Sequence, residues 1–149
     1  MKLNRREALA LGAGALFITL TPFKGGALAK NAEEEIQAFT SGAKVMEDDM
    51  VTLTAPEIAE NGNTVPIGIS VNSPMTADNY VKHVRILADG NPRAAVATMH
   101  FSPMSGSAEA NTRMRLAKTQ NVIAVAELSD GTFHMTRAEV KVTIGGCGG

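Results

Sequence analysis

Thr64-Val65-Pro66-Ile67-Gly68-Ile69-Ser70-Val71 places Val65, Ile67, Ile69 and Val71 at every second position. A period of two puts those four side chains on one face of an extended chain, the mark of a half-buried strand. Pro66 has no N–H to give a neighbouring strand, which favours an edge position or a bulge. Glu60-Asn61-Gly62-Asn63 precedes the run and reads as a turn. Upstream, Met50 to Thr54 alternates weakly. Downstream, Tyr80 to Ala88 carries Val84 and Ile86 on one face, and Asp89-Gly90-Asn91-Pro92 is a second turn. Ala94 to Phe101 is a further strand, ended by Pro103, and Ser105-Gly106-Ser107 is a loop. Thr112 to Lys118 and Asn121 to Leu128 read as two strands. Asp130-Gly131 is a hairpin turn between Leu128 and Thr132. The last strand runs to Ile144, with Val140, Val142 and Ile144 alternating against Lys141 and Thr143.

About seven short strands with a turn roughly every ten residues predict an all-β fold, an immunoglobulin-like antiparallel β-sandwich. A small barrel is the alternative. A short helix is expected over Ala32 to Phe39, ending near Gly42, because Glu33-Glu34-Glu35 stand ahead of Ile36 and Phe39 where a first turn favours acids. Its expected role is a terminal cap.

Composition agrees with one globular domain. Hydrophobic residues make up 44% and charged residues 19% of the 149 positions. Aromatics are only 4% and Trp is absent, so the core must come from Val, Ile, Leu, Met and Ala. A net charge of −1 with no basic cluster argues against nucleic-acid binding. No internal repeat or low-complexity tract competes with the sandwich.

The beginning of the chain reads as a targeting segment. Lys2, Arg5 and Arg6 form a charged region, and Ala8 to Leu20 is free of charge. That run is shorter than the ~20 residues a bilayer span needs. Ala27-Leu28-Ala29 fits a signal-peptidase site, with cleavage after Ala29. The pair Arg5-Arg6 points to the twin-arginine export route and a periplasmic location, with an ordinary secretory signal as the alternative. The expected organisation is residues 1–29 cleaved signal, 30–144 β-sandwich domain, and 145–149 a mobile arm. The mature chain is then more acidic than the whole and free of the membrane.

The arm carries the chemistry. Ile144 is followed by Gly145-Gly146-Cys147-Gly148-Gly149, and Cys147 is the single cysteine. Exported proteins usually pair their cysteines, and this one has no partner in its own chain. Gly145, Gly146, Gly148 and Gly149 give the backbone wide freedom and remove bulk around the sulfur. Fully extended, the three residues beyond Ile144 reach roughly 10 Å. That is enough to insert a thiol with cargo into another protein's pocket. The sequence sets no fixed base or cation beside Cys147, so activation is expected from the enzyme that receives the arm. The chain therefore reads as a covalent carrier without catalytic residues of its own. Two exposed arms can also join through a Cys147–Cys147 disulfide.

Other constellations are weaker. His83, His100 and His134 stand isolated in expected strands, and a metal site would need them to converge with supporting partners. A blue-copper centre needs His and Cys held close with a weak axial Met, which a flexible arm does not provide. The eight Met read as core filler in a chain poor in aromatics. No phosphate loop, paired-carboxylate motif or serine nucleophile elbow is present. No cofactor and no metal are expected.

The segment Val142-Thr143-Ile144-Gly145-Gly146-Cys147-Gly148-Gly149 resembles the end of the SoxY family, sulfur carriers of bacterial thiosulfate-oxidising systems. The likeness extends to Glu60-Asn61-Gly62-Asn63-Thr64-Val65-Pro66, Ser73-Pro74-Met75-Thr76-Ala77-Asp78, Phe101-Ser102-Pro103-Met104-Ser105-Gly106 and Arg115-Leu116-Ala117-Lys118-Thr119-Gln120. These segments spread across most of the mature chain. The resemblance implies an immunoglobulin-like sandwich and a heterodimer with SoxZ. It also implies thiosulfate-derived sulfur bound covalently at Cys147. SoxAX would load the cysteine, SoxB would release sulfate, and in some systems a sulfur dehydrogenase would oxidise what remains. Three rivals stand beside this reading. They are an exported β-sandwich interaction module, a copper-binding chaperone using Cys147 with Met and His, and a carrier working through the Gly149 carboxylate.

Overall fold

The computed structural model describes residues 27–147, with side chains from Asn31 onward. The expected signal region with Arg5 and Arg6, and the arm glycines Gly148 and Gly149, lie outside the described residues. Helix α1 spans Ala27–Thr40. Nine strands follow: β1 Val45–Glu47, β2 Val51–Thr54, β3 Ile58–Asn61, β4 Val65–Val71, β5 Val81–Ala88, β6 Ala95–His100, β7 Ala108–Met114, β8 Gln120–Leu128 and β9 Phe133–Ile144. A 3₁₀ turn at Pro103–Ser105 separates β6 from β7.

The strands form two sheets. The larger runs β1-β9-β8-β5-β6, with β3 also paired to β9, and the smaller runs β2-β4-β7. The sheets pack face to face as an immunoglobulin-like β-sandwich, with α1 as the one α-helix among the described residues. The pairs β4–β7, β5–β6, β5–β8 and β8–β9 are antiparallel, as the alternating pattern implies. β1 and β3 are additions: each pairs parallel with β9, β1 along Phe133 to Met135 and β3 along Lys141 to Ile144. Two strands of three and four residues are too short to show a period.

Between the sheets Val65, Ile67, Ile69 and Val71 of β4 meet Val84 and Ile86 of β5 and Val122, Ala124 and Ala126 of β8. Every second residue of β4 is buried, so its alternation is that of a strand covered on one face only. β8 differs. Its odd positions Ile123 and Val125 join Leu87, Ala94 and Phe133 in a second cluster under Ala32, Ile36 and Phe39 of α1. A strand covered on both faces becomes nearly continuous in apolar residues, as Val122 to Ala126 does. The helix is thus a third layer on the outer face of the larger sheet.

Four sequence expectations change in position. α1 begins five residues before Ala32, so Glu33-Glu34-Glu35 sit mid-helix and its first turn carries no acid. Ala27-Leu28-Ala29 are strong helix formers, and the expected cleavage point after Ala29 falls in that first turn. The helix stops at Ser41 and Gly42, both left-handed, where the Gly42 N–H donates to the Gln37 carbonyl at 3.0 Å. β7 lies four residues earlier than expected, because β4 needs partners from Met114 back to Ala108; Ala108 and Ala110 give little apolar signal. β4 is the middle strand of its sheet, yet β2 ends opposite Gly68. Pro66 therefore stands past the end of β2, a local edge inside a central strand. Ile144 ends the alternation of β9 and is exposed rather than buried.

Candidate functional site

β9 leads out of the sandwich toward Cys147, and the path between them is closely tied. The Gly62 N–H donates to the Ile144 carbonyl at 2.7 Å, and the Leu116 N–H donates to the Gly62 carbonyl at 2.7 Å. The Gly146 N–H donates to the Leu116 carbonyl at 2.8 Å. Upstream, the Val142 N–H donates to Thr119 Oγ1 at 2.9 Å. Three segments far apart in sequence thus interlock: the turn after β3, the loop between β7 and β8, and the root of the arm.

Glycine is required here by close approach. A Cβ on Gly62 would stand 2.3 Å from the Leu116 carbonyl oxygen and 2.7 Å from the Gly146 nitrogen. A Cβ on Gly145 would stand 2.2 Å from the Ala117 carbonyl oxygen, and one on Gly146 2.6 Å from that of Gly62. In this conformation, Gly145 and Gly146 serve to let three backbones meet, in addition to the freedom inferred from sequence.

The Leu116 loop is held from beneath. Asn91, in the turn after β5, is 2% exposed. Its Nδ2 donates to the Arg115 carbonyl at 2.8 Å, and its Oδ1 accepts the Ala117 N–H at 2.9 Å and Gln120 Nε2 at 2.9 Å. Gln120 in turn donates to the Lys118 carbonyl and accepts the Gly90 N–H.

Cys147 stands at the end of this construction, free and exposed. Its N–H donates to Asn63 Oδ1 at 3.2 Å. That bond runs through the backbone and does not engage Sγ. The Asn63 N–H donates to Asn61 Oδ1 at 2.9 Å, which shapes the turn. An exposed thiol on a glycine-bordered backbone can be approached from several directions. Sequence reasoning found Cys147 but gave Asn63 and Asn91 no role at the site; Asn61-Gly62-Asn63 registered as a turn within a family-like segment, and Asp89-Gly90-Asn91-Pro92 only as a turn.

The histidines are not isolated. His83 and His100 are directly opposed on β5 and β6, with ring centroids 4.6 Å apart and edge to face. His83 Nδ1 lies 2.9 Å from Glu127 Oε2, while Lys82 Nζ lies 2.6 Å from Glu127 Oε1. Burial pushes the Glu127 carboxyl up, but the bonds from Lys82 and His83 outweigh it and hold the group below its ordinary value. The same contact with Glu127 raises Lys82. His134 is buried and reaches Asp48 Oδ2 through Nδ1 at 2.7 Å, and that bond lowers Asp48. Among the described residues, no group of three or more His, Cys, Asp or Glu is arranged to hold a metal ion. The sequence did not reveal these contacts because each joins different strands or loops.

Residues 36–147 match the family model described as SoxY, sulfur oxidation protein SoxY. A search of curated proteins returned no match. Among solved structures, the sulfur carrier protein SoxY from Chlorobium limicola f thiosulfatophilum superposes with a TM-score of 0.66 at 30% identity, covering 77% of this chain and 94% of that one. The superoxide reductase (neelaredoxin) from Ignicoccus hospitalis gives 0.56 at 18% identity, covering 62% and 80%. The superoxide reductase from Nanoarchaeum equitans gives 0.52 at 13% identity, covering 64% and 99%. The last two likenesses concern the fold alone.

Proposed function

The chain belongs to the SoxY family, and from that premise we propose that it is a periplasmic sulfur-substrate carrier whose attachment point is Cys147. In this reading a thiosulfate-derived sulfur group is held covalently on Sγ and presented to a succession of enzymes. SoxZ is the proposed heterodimer partner. SoxAX, SoxB and a sulfur dehydrogenase are the proposed visitors. The observation that carries the reading is the placement of the chain's single cysteine: exposed, at the end of a backbone that the fold holds and aims, with its thiol outside the hydrogen bonds that hold it.

The division of labour follows from the same geometry. A carrier must bind its cargo stably between enzymes, so strong activation of the thiol on the carrier would be a disadvantage. The thiolate is the reacting form, and the visiting enzyme supplies the groups that favour it. No residue of this chain is proposed as catalytic. Export by the twin-arginine route, with residues 1–29 removed, would deliver the folded chain to the compartment where such cargo is handled.

The test is intact-protein mass spectrometry of the mature chain purified from cells grown on thiosulfate, before and after reductant. Reducible increments of sulfur or sulfonate are expected on the wild type, with none on Cys147→Ser. Unmodified masses for both proteins, each matching its own sequence, would remove the main support for the carrier reading and favour the interaction module.

A further inference from the structure

The bonds that tie the arm to the sandwich differ in kind. Those linking Gly62, Ile144, Leu116 and Gly146 join backbone to backbone at 2.7 to 2.8 Å. Gly146 itself is buried. A Cβ on Gly62, Gly145 or Gly146 would collide with backbone oxygen, so the three backbones lie in direct contact here. The loop on the far side is fixed by the buried Asn91 amide. The last bond is unlike these: the Cys147 N–H meets an exposed side chain, Asn63 Oδ1, at 3.2 Å. Exposed bonds of this type contribute little net stability.

We propose that Asn63 positions the carrier cysteine, parking Cys147 against the dock through its N–H, and that the pivot of the arm lies between Gly146 and Cys147. The proposal rests on the reading of Cys147 as the carrier residue. It moves the pivot from Ile144 to Gly146, which shortens the free reach by two residues, or about 7 Å. An enzyme that accepts the cargo must then approach the rim formed by Asn63 and the Ala117–Thr119 loop. Release of the parked cysteine needs one weak bond to open, while the dock stays closed.

Water-exchange NMR on the mature chain tests this directly. In the wild type, the Gly146 amide should exchange much more slowly than the Cys147 amide, which should still be slower than an unstructured amide. Asn63→Ala should speed Cys147 exchange about two- to tenfold, the range expected for one such bond, and leave Gly146 unchanged. Asn63→Asp keeps an acceptor at the same place and should restore the wild-type rate. That rescue is something a general loosening of the turn would not give. Equal Cys147 rates in wild type and Asn63→Ala would overturn the proposal, as would Gly146 and Cys147 quickening together. Amide exchange does not depend on cargo. The expected pattern in a chain that carries no sulfur would therefore support the positioning role while the carrier reading failed.

Discussion

Asn91 uses both ends of its amide inside the protein, giving one bond to the Arg115 carbonyl and taking two, from Ala117 and Gln120. The loop it shapes offers the Leu116 N–H and carbonyl to Gly62 and Gly146. Replacing Asn91 with Ala takes the shared amide away from those partners. Buried groups left unpaired cost about 1–3 kcal/mol, and several share the loss here. Asn91→Ala should therefore lower the urea midpoint by the equivalent of about 2–3 kcal/mol with an unchanged slope. The Gly146 amide should lose its protection together with the loop. An unchanged midpoint would show that the loop holds its shape without Asn91. At this scale Cys147 could be read from the sequence, because a lone cysteine among glycines is a local pattern. Asn63 and Asn91 could not, because their meaning lies in contacts with residues 84 and 24–29 positions away.

The pair β5 and β8 carries Lys82, His83 and Glu127 as a cross-strand brace on the outer face of the larger sheet. The carboxyl of Glu127 sits below its ordinary value, as do those of Asp48 and Asp130. Depressed carboxyls contribute stability that is complete above their unfolded values near pH 4 and is lost as pH falls through the lower folded values. Thermal stability should thus decline on the acid side, and Glu127→Gln should make that decline shallower without removing it, since Asp48 and Asp130 titrate in the same direction. Melting curves at a series of acidic pH values would show it; equal slopes for wild type and variant would mean the brace contributes nothing. Strand patterns were legible wherever one face is buried, as in β4 and β9. They failed at β7, whose inward positions Ala108, Ala110, Thr112 and Met114 give little apolar signal, and at the short parallel strands β1 and β3. The acid run in α1 suggested a helix start because the apolar residues before it look equally like the end of an export signal.

The described residues form three layers: helix, larger sheet, smaller sheet. The sandwich class followed from alternation alone, but the sheet order did not, because pairing between distant strands leaves no local mark. Nor did the sequence show that α1 covers a second apolar face, which only the two-sided burial of β8 reveals. The dock for Cys147 is built from the turn after β3, the loop after β7 and the end of β9. None of these dock contacts comes from α1. The layers should therefore separate by function. Deleting residues 30–40 from the mature chain uncovers Leu87, Ile123, Val125 and Phe133, now under Ala32, Ile36 and Phe39. The loss should be on the order of 3 kcal/mol from the burial of those helix side chains. The uncovered apolar patch should also drive self-association. The core between the sheets keeps its own contacts, so circular dichroism should still report β structure. Sedimentation should show larger species, and the slow Gly146 amide should persist at concentrations low enough to keep the chain monomeric. Loss of that amide's protection would mean that the helix also sets the geometry of the arm, and the layers would have to be treated as one cooperative unit.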